Sequence, residues 1–136
     1  MIHPFKNFIG IEYLENLHNI GVTIKEKFDE NLQIFSDENP GLVPEFTPTQ
    51  NIELIAGDFL EMNWSDASFL FANSTCFSPD LMRALSKKAE ELPVGAIFVT
   101  FTKKLPLLPE NWEVINGFRR LMSWGIATVY VHRKMS

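Results

Sequence analysis

A single cysteine, Cys76, stands among 136 residues, so no disulfide can form within the chain. That suits a reducing compartment, nucleus or cytoplasm, and no targeting signal is visible. The three histidines, His3, His18 and His132, are scattered without zinc-ligand spacing, so no metal is expected. Positive charge is short. Twelve Lys and Arg against seventeen Asp and Glu leave a net charge of −5, without the basic footprint of a nucleic-acid binder. A basic partner would be steered better than a phosphate backbone. No apolar run approaches the roughly 18 residues that span a bilayer, so no membrane is expected. No Gly-x-Gly occurs anywhere. What is present, 46% hydrophobic and 12% aromatic residues, belongs to one globular α/β domain over 1–136.

The order of elements follows from periodicity. Asn7-Phe8-Ile9-Gly10-Ile11 reads as a short buried strand ending on Glu12. From Tyr13 to about Phe35, Leu17, Ile20, Ile24, Phe28, Leu32 and Phe35 recur every three or four residues, an amphipathic helix whose stripe is expected in the core. Gly21 and Val22 weaken it locally. Pro40, Gly41, Pro44 and Pro48 make 37–51 a loop. Ile52–Ala56 and Ala67–Ala72 are strands apolar on both faces, as central parallel strands require. Ser78 caps a second helix with Pro79 at its first position, Leu81, Leu85, Ala89 and Leu92 on one face, and Pro93 as its stop. A strand follows at Ala96–Phe101, then a proline-broken loop from Lys103 to Asn111. Trp112–Met122 and Ile126–His132 are separated only by Ser123-Trp124-Gly125, which allows a hairpin and no helical crossover. The pattern is a doubly wound α/β sheet with a reversed, antiparallel edge.

In such a sheet ligands bind outside the carboxyl ends of the strands. Glu12 ends the first strand, where a carboxylate can accept both hydroxyls of a ribose. In nucleotide-binding folds that acid follows a glycine-rich loop by about 20 residues, which would place the loop before Met1. The chain is therefore expected to lack the first strand and glycine-rich loop of its fold. Asp58 and Phe59 follow the second strand, an acid to accept from an adenine amine and a ring to pack on the base. Asn73-Ser74-Thr75-Cys76-Phe77-Ser78-Pro79 follows the third, with an asparagine, small residues and an aromatic where methyltransferases acting on nitrogen commonly place them.

The runs Ile9-Gly10-Ile11-Glu12, Gly57-Asp58-Phe59-Leu60 and Phe71-Ala72-Asn73-Ser74-Thr75-Cys76-Phe77-Ser78-Pro79 resemble, in order and interval, the strand ends of the Dot-one-like (disruptor of telomeric silencing) histone lysine methyltransferases. The likeness covers nearly the whole chain. It implies a Rossmann-like class I methyltransferase fold with S-adenosyl-L-methionine as cofactor. It also implies that Glu12 holds the ribose, Asp58 and Phe59 contact the adenine, Asn73 lies beside the methionine and a lysine channel, and Phe77 lines that channel. Ser123-Trp124 and Tyr130 resemble a serine-tryptophan pair and a channel tyrosine of that family, at a different spacing. The implied partner is a protein substrate with a lysine acceptor, possible histone or nucleosome included. Absent are the family's glycine-rich motif, the segment before it, and the basic tail of its animal members.

Each assignment has a plainer rival. Glu12 can be a helix-start acid favoured by the helix dipole, Asp58 a turn residue after glycine, Asn73 a strand terminator, Phe77 a core residue and Cys76 a small filler. The acceptor can equally be a non-histone protein or a small molecule, or the chain an inactive Rossmann-like binding module. A missing central strand would leave apolar edges on the strands ending at Glu12 and Asn73. The chain is then expected to be weakly stable, to form a homodimer through those edges, or to pair the two strands directly.

Overall fold

The computed structural model describes residues 5–38, 51–106 and 109–136. The chain forms two compact units, Met1–Glu61 and Met62–Ser136.

In the first unit, β1 (Asn7–Glu12) and β2 (Asn51–Ala56) pair in parallel, Phe8 opposite Ile52 and Glu12 opposite Ala56. Parallel neighbours need a crossover, and α1 (Glu15–Glu38) supplies it. Leu54 of β2 fixes the packing. A Cβ added at Gly10 of β1 would lie 2.8 Å from one Leu54 methyl, and one at Gly21 of α1 would lie 3.4 Å from the other. Two glycines thus admit one leucine from the strand side and the helix side. This corrects the expected core stripe: Leu17, Ile20, Ile24 and Phe28 are 50–61% exposed. The half-buried positions are His18, Gly21, Val22 and Lys25. Close approach needs a small residue against the strand, so Gly21, rather than the bulky stripe, sets which face turns inward. Leu32 and Phe35 lie outside the residues whose side chains are described, as does most of the expected 37–51 loop.

The second unit holds β3 (Phe69–Ala72), α2 (Pro79–Lys88), β4 (Ile97–Phe101), β5 (Trp112–Met122) and β6 (Gly125–Lys134), with strand order β3-β4-β6-β5. β3 runs parallel to β4, while β6 is antiparallel to both β4 and β5, so the reversed edge is present. The chemistry at the start of α2 is as read: the Ser78 hydroxyl accepts from the Leu81 N–H at 3.2 Å and Pro79 occupies the first turn. Its end is earlier, at Lys88, because Ala89–Glu91 tightens into a 3-10 turn. Leu85, Ala89 and Leu92 face inward as read, joined by Met82, while Leu81 is half-exposed. Trp64, Leu92, Phe98, Leu105, Trp112, Ala127 and Val129 complete the core. Gly95, at φ +87°, makes the turn into β4 that a side-chain-bearing residue would strain.

Among the described residues β1 pairs with β2 within the first unit and β3 with β4 within the second.

Candidate functional site

The parallel register sets Glu12 opposite Ala56, two residues before Asp58, so both carboxylates emerge at the carboxyl ends of β1 and β2. Glu12 Oε1 accepts from the Leu14 N–H at 2.9 Å, and its main-chain carbonyl accepts from Gly57 at 3.0 Å. The first bond orients the carboxylate at the start of α1, which is the structural role weighed above. It leaves Oε2 without a hydrogen bond among the described residues. Asp58 behaves alike: Oδ1 accepts from Leu60 N at 2.8 Å and shapes the 3-10 turn Phe59–Glu61. Each acid is thus held by one oxygen at a fixed angle, an arrangement that presents the other to a ligand hydroxyl or amine.

In the second unit, Ala72 lies opposite Thr100, so Asn73 leaves β3 at the end where β4 turns into its loop. Beneath it the fully buried Ser74 donates its hydroxyl to Phe101 O at 2.7 Å and pins the two strand ends together. Thr75 donates to Asn73 Oδ1 at 3.2 Å and lies 3.2 Å from the Thr102 hydroxyl. Thr75 has one hydroxyl proton and spends it on Asn73, so Thr102 is the donor to Thr75. Thr102 sits at φ 66°, an unusual conformation for a β-branched residue, within a tight turn closed by Lys103 N on Phe101 O at 2.7 Å. The Lys103 ammonium reaches back to Phe77 O, and Phe77 is half-buried. Asn73, Thr75, Phe77, Thr102 and Lys103 therefore form one rim.

Tyr130 is not at that rim. It lies inside β6, opposite Thr100 on one side and Gly117 on the other, with its ring 6.4 Å from His132. The fully buried His132 faces Phe98 O at 3.0 Å and accepts from Leu105 N at 3.4 Å, contacts that use both ring nitrogens. Burial foremost, and the nearby Lys104 charge, lower its pKa against the raising effect of the Phe98 carbonyl. Sequence reasoning missed Thr75, Thr102 and this use of His132. Only the threonine beside Asn73 offered a signal, since a hydroxyl two residues after an amide is placed to bond it. Among the described residues no group of His, Cys, Asp and Glu is placed to hold a metal ion.

Parallel strands with a helical crossover, a reversed edge strand and polar residues at the carboxyl ends define the Rossmann-like α/β fold of the class I methyltransferases. No protein-family model and no curated protein matches the sequence. Solved structures do. A candidate methylase from Haemophilus influenzae aligns with TM-score 0.55 and 20% identity over 96% of this chain and 68% of its own. An RNA methyltransferase from Salinibacter ruber, solved with S-adenosyl-L-homocysteine, aligns with TM-score 0.56 and 18% identity over 93% and 64%. A candidate methyltransferase from Escherichia coli gives 0.56 and 13% over 96% and 64%. The chain spans about two thirds of the length of these structures.

Proposed function

We propose that this chain is the cofactor-holding part of an S-adenosyl-L-methionine-dependent methyltransferase acting on an amine nitrogen of RNA or of a small molecule. The observation that carries the reading is the Asn73 amide at the carboxyl end of β3, oriented by Thr75 so that Oδ1 keeps one lone pair for an acceptor N–H. The similar structures support it, since one is named for RNA methylation and was solved with the demethylated cofactor.

The cofactor, when bound, supplies an electrophilic methyl group on a good leaving group. The protein's task is alignment and exclusion of water. Glu12 Oε2 would accept from ribose hydroxyls while Oε1 stays on Leu14, and Asp58 would accept from the adenine amine with Phe59 against the base. In the second unit Asn73 Oδ1 would accept from the acceptor amine, with the half-buried Phe77 on the same rim.

A protein lysine is the second reading. It is favoured by the Dot-one-like run around Asn73 and by the net charge of −5, which suits a basic protein substrate such as a histone. Tyr130, half-buried within β6 and away from the rim, adds nothing to it. Transfer of a tritiated methyl from S-adenosyl-L-methionine to total RNA, to a metabolite extract and to nucleosomes separates these. Label in RNA or metabolites supports the first reading, label in histone supports the second, and no label in any pool refutes both.

A further inference from the structure

β6 is longer than its neighbour β4. The last rung between them joins Phe101 to Val129, while β6 begins at Gly125. Thr128 O still accepts from Thr102 N at 2.7 Å, and the three residues before it pair only with β5, from Arg120 opposite Ala127 to Met122 opposite Gly125. At 3.3 Å per residue the two-stranded ribbon overhangs the sheet by about 10 Å. It does so at the end where Asn73 leaves β3, two strands and about 10 Å to the side.

The surface of this overhang combines exposed apolar side chains with unopposed positive charge. Among three tryptophans, Trp64 and Trp112 are 5% and 4% exposed, whereas Trp124 at the ribbon's tip is 57% exposed. Leu121 and Ile126, cross-strand partners, are 82% and 66% exposed on one face. In a chain of net charge −5, no acidic residue occurs from Val114 to Ser136. Of the four cations there, Arg133 is paired with Glu113 and Lys134 with Glu90. Arg119 and Arg120 have no ion-pair partner among the described residues, and the Arg120 guanidinium lies 4.5 Å from the Phe118 ring centre.

We propose that this ribbon, Arg119 to Ile126, is the acceptor-binding element, and that its ligand is single-stranded RNA. Trp124 stacks on a base, and Arg119 and Arg120 meet phosphates. Exposed aromatic surface interleaved with unpaired arginine is the chemistry that single strands select, because every base has a face to stack and every linkage a charge. The ribbon's position carries a held strand toward the Asn73 amide. The acidic remainder of the chain confines the attraction to this end. The inference rests on the RNA reading of the acceptor.

The test is a titration of the full chain with a single-stranded oligouridylate, read by tryptophan fluorescence. Since Trp64 and Trp112 are buried, quenching reports Trp124. Expected are quenching on binding, an about tenfold weaker association for Trp124→Ala, which lacks the reporter and is read by the anisotropy of a dye-labelled oligouridylate alongside the parent, and a salt dependence of log K shallower by roughly 1.4 for Arg119→Gln with Arg120→Gln. All three positions are exposed, and circular dichroism confirms that the variants stay folded. The proposal is overturned if oligouridylate leaves the fluorescence unchanged, if both variants bind as the parent does, or if polyglutamate binds as well as RNA, which would make the partner an acidic protein. RNA binding without methyl transfer to any RNA would sink the enzyme reading and leave the ribbon's role standing. Methyl transfer to RNA that Trp124→Ala leaves unchanged would do the reverse.

Discussion

The Lys134 ammonium donates to both the main-chain carbonyl and the Oε2 oxygen of Glu90, at 2.8 and 3.1 Å, tying the end of β6 to the turn that follows α2. Asn111 Nδ2 and Trp112 Nε1 donate to the same carboxylate at 3.0 Å each. Lys134 is 6% exposed, so removing its partner strands a buried charge. Glu90→Ala is expected to cost about 2 kcal/mol at pH 7, and Glu90→Gln less, because the amide oxygen can still accept. Burial alone would raise the Glu90 pKa, but the bonds from Lys134, Asn111 and Trp112 outweigh it and leave the carboxyl below its usual 4.5. The contribution is therefore complete above pH 4.5 and fades as pH falls through the lowered folded value. Urea midpoints at pH 7 and at low pH check this: parent and Glu90→Ala should differ at the first and converge at the second.

His132 gives a second acid sensitivity with a higher onset. Its pKa lies below 6.5 in the folded chain, so folding favours the neutral ring, and stability is full above pH 6.5 and declines as pH falls. Protonation also turns Nε2 into a donor facing the Leu105 N–H. Thermal melts from pH 7.5 to 5 should fall for the parent and flatten for His132→Gln. An equal slope in both would assign the decline elsewhere.

Ile24 and Phe28 separate the observed packing from the one that periodicity suggests. They are 61% and 51% exposed, whereas Leu85 is 2% exposed. Ile24→Ser and Phe28→Ser should shift stability by less than about 0.5 kcal/mol, against 2–5 kcal/mol for Leu85→Ala. Comparable losses at all three, measured by urea unfolding, would restore the stripe to the core.

That contrast shows which information was local. The start of α2 was legible because Ser78 and Pro79 act within one turn of themselves. The hairpin was legible because three residues cannot hold a crossover. The strand ends followed from runs of apolar residues broken by Glu12, Asp58 and Asn73. The inward face of α1 was not legible, since it depends on Gly21 meeting Leu54 from another element. Nor was Thr102, whose residue type argues against positive φ, nor the Glu90–Lys134 bond across 44 residues. Carboxylates at a rim are read easily; which acceptor they serve is set by surfaces that pattern alone does not assemble.

Self-association is the expected outcome of the unpaired sides of β1 and β3 among the described residues, because an open strand offers backbone groups to another chain. Sedimentation velocity over a wide concentration range should show mass rising above 15.6 kDa. A constant monomer mass would exclude a homodimer.

The central claim is that Glu12 and Asp58, at the carboxyl ends of β1 and β2, hold one nucleoside. The most direct test is titration of the 15N-labelled chain with S-adenosyl-L-homocysteine. The amides of Leu14 and Leu60, which bond Glu12 and Asp58, should shift along curves of one common Kd. A shift at only one of the two, or none at saturating ligand, would contradict it.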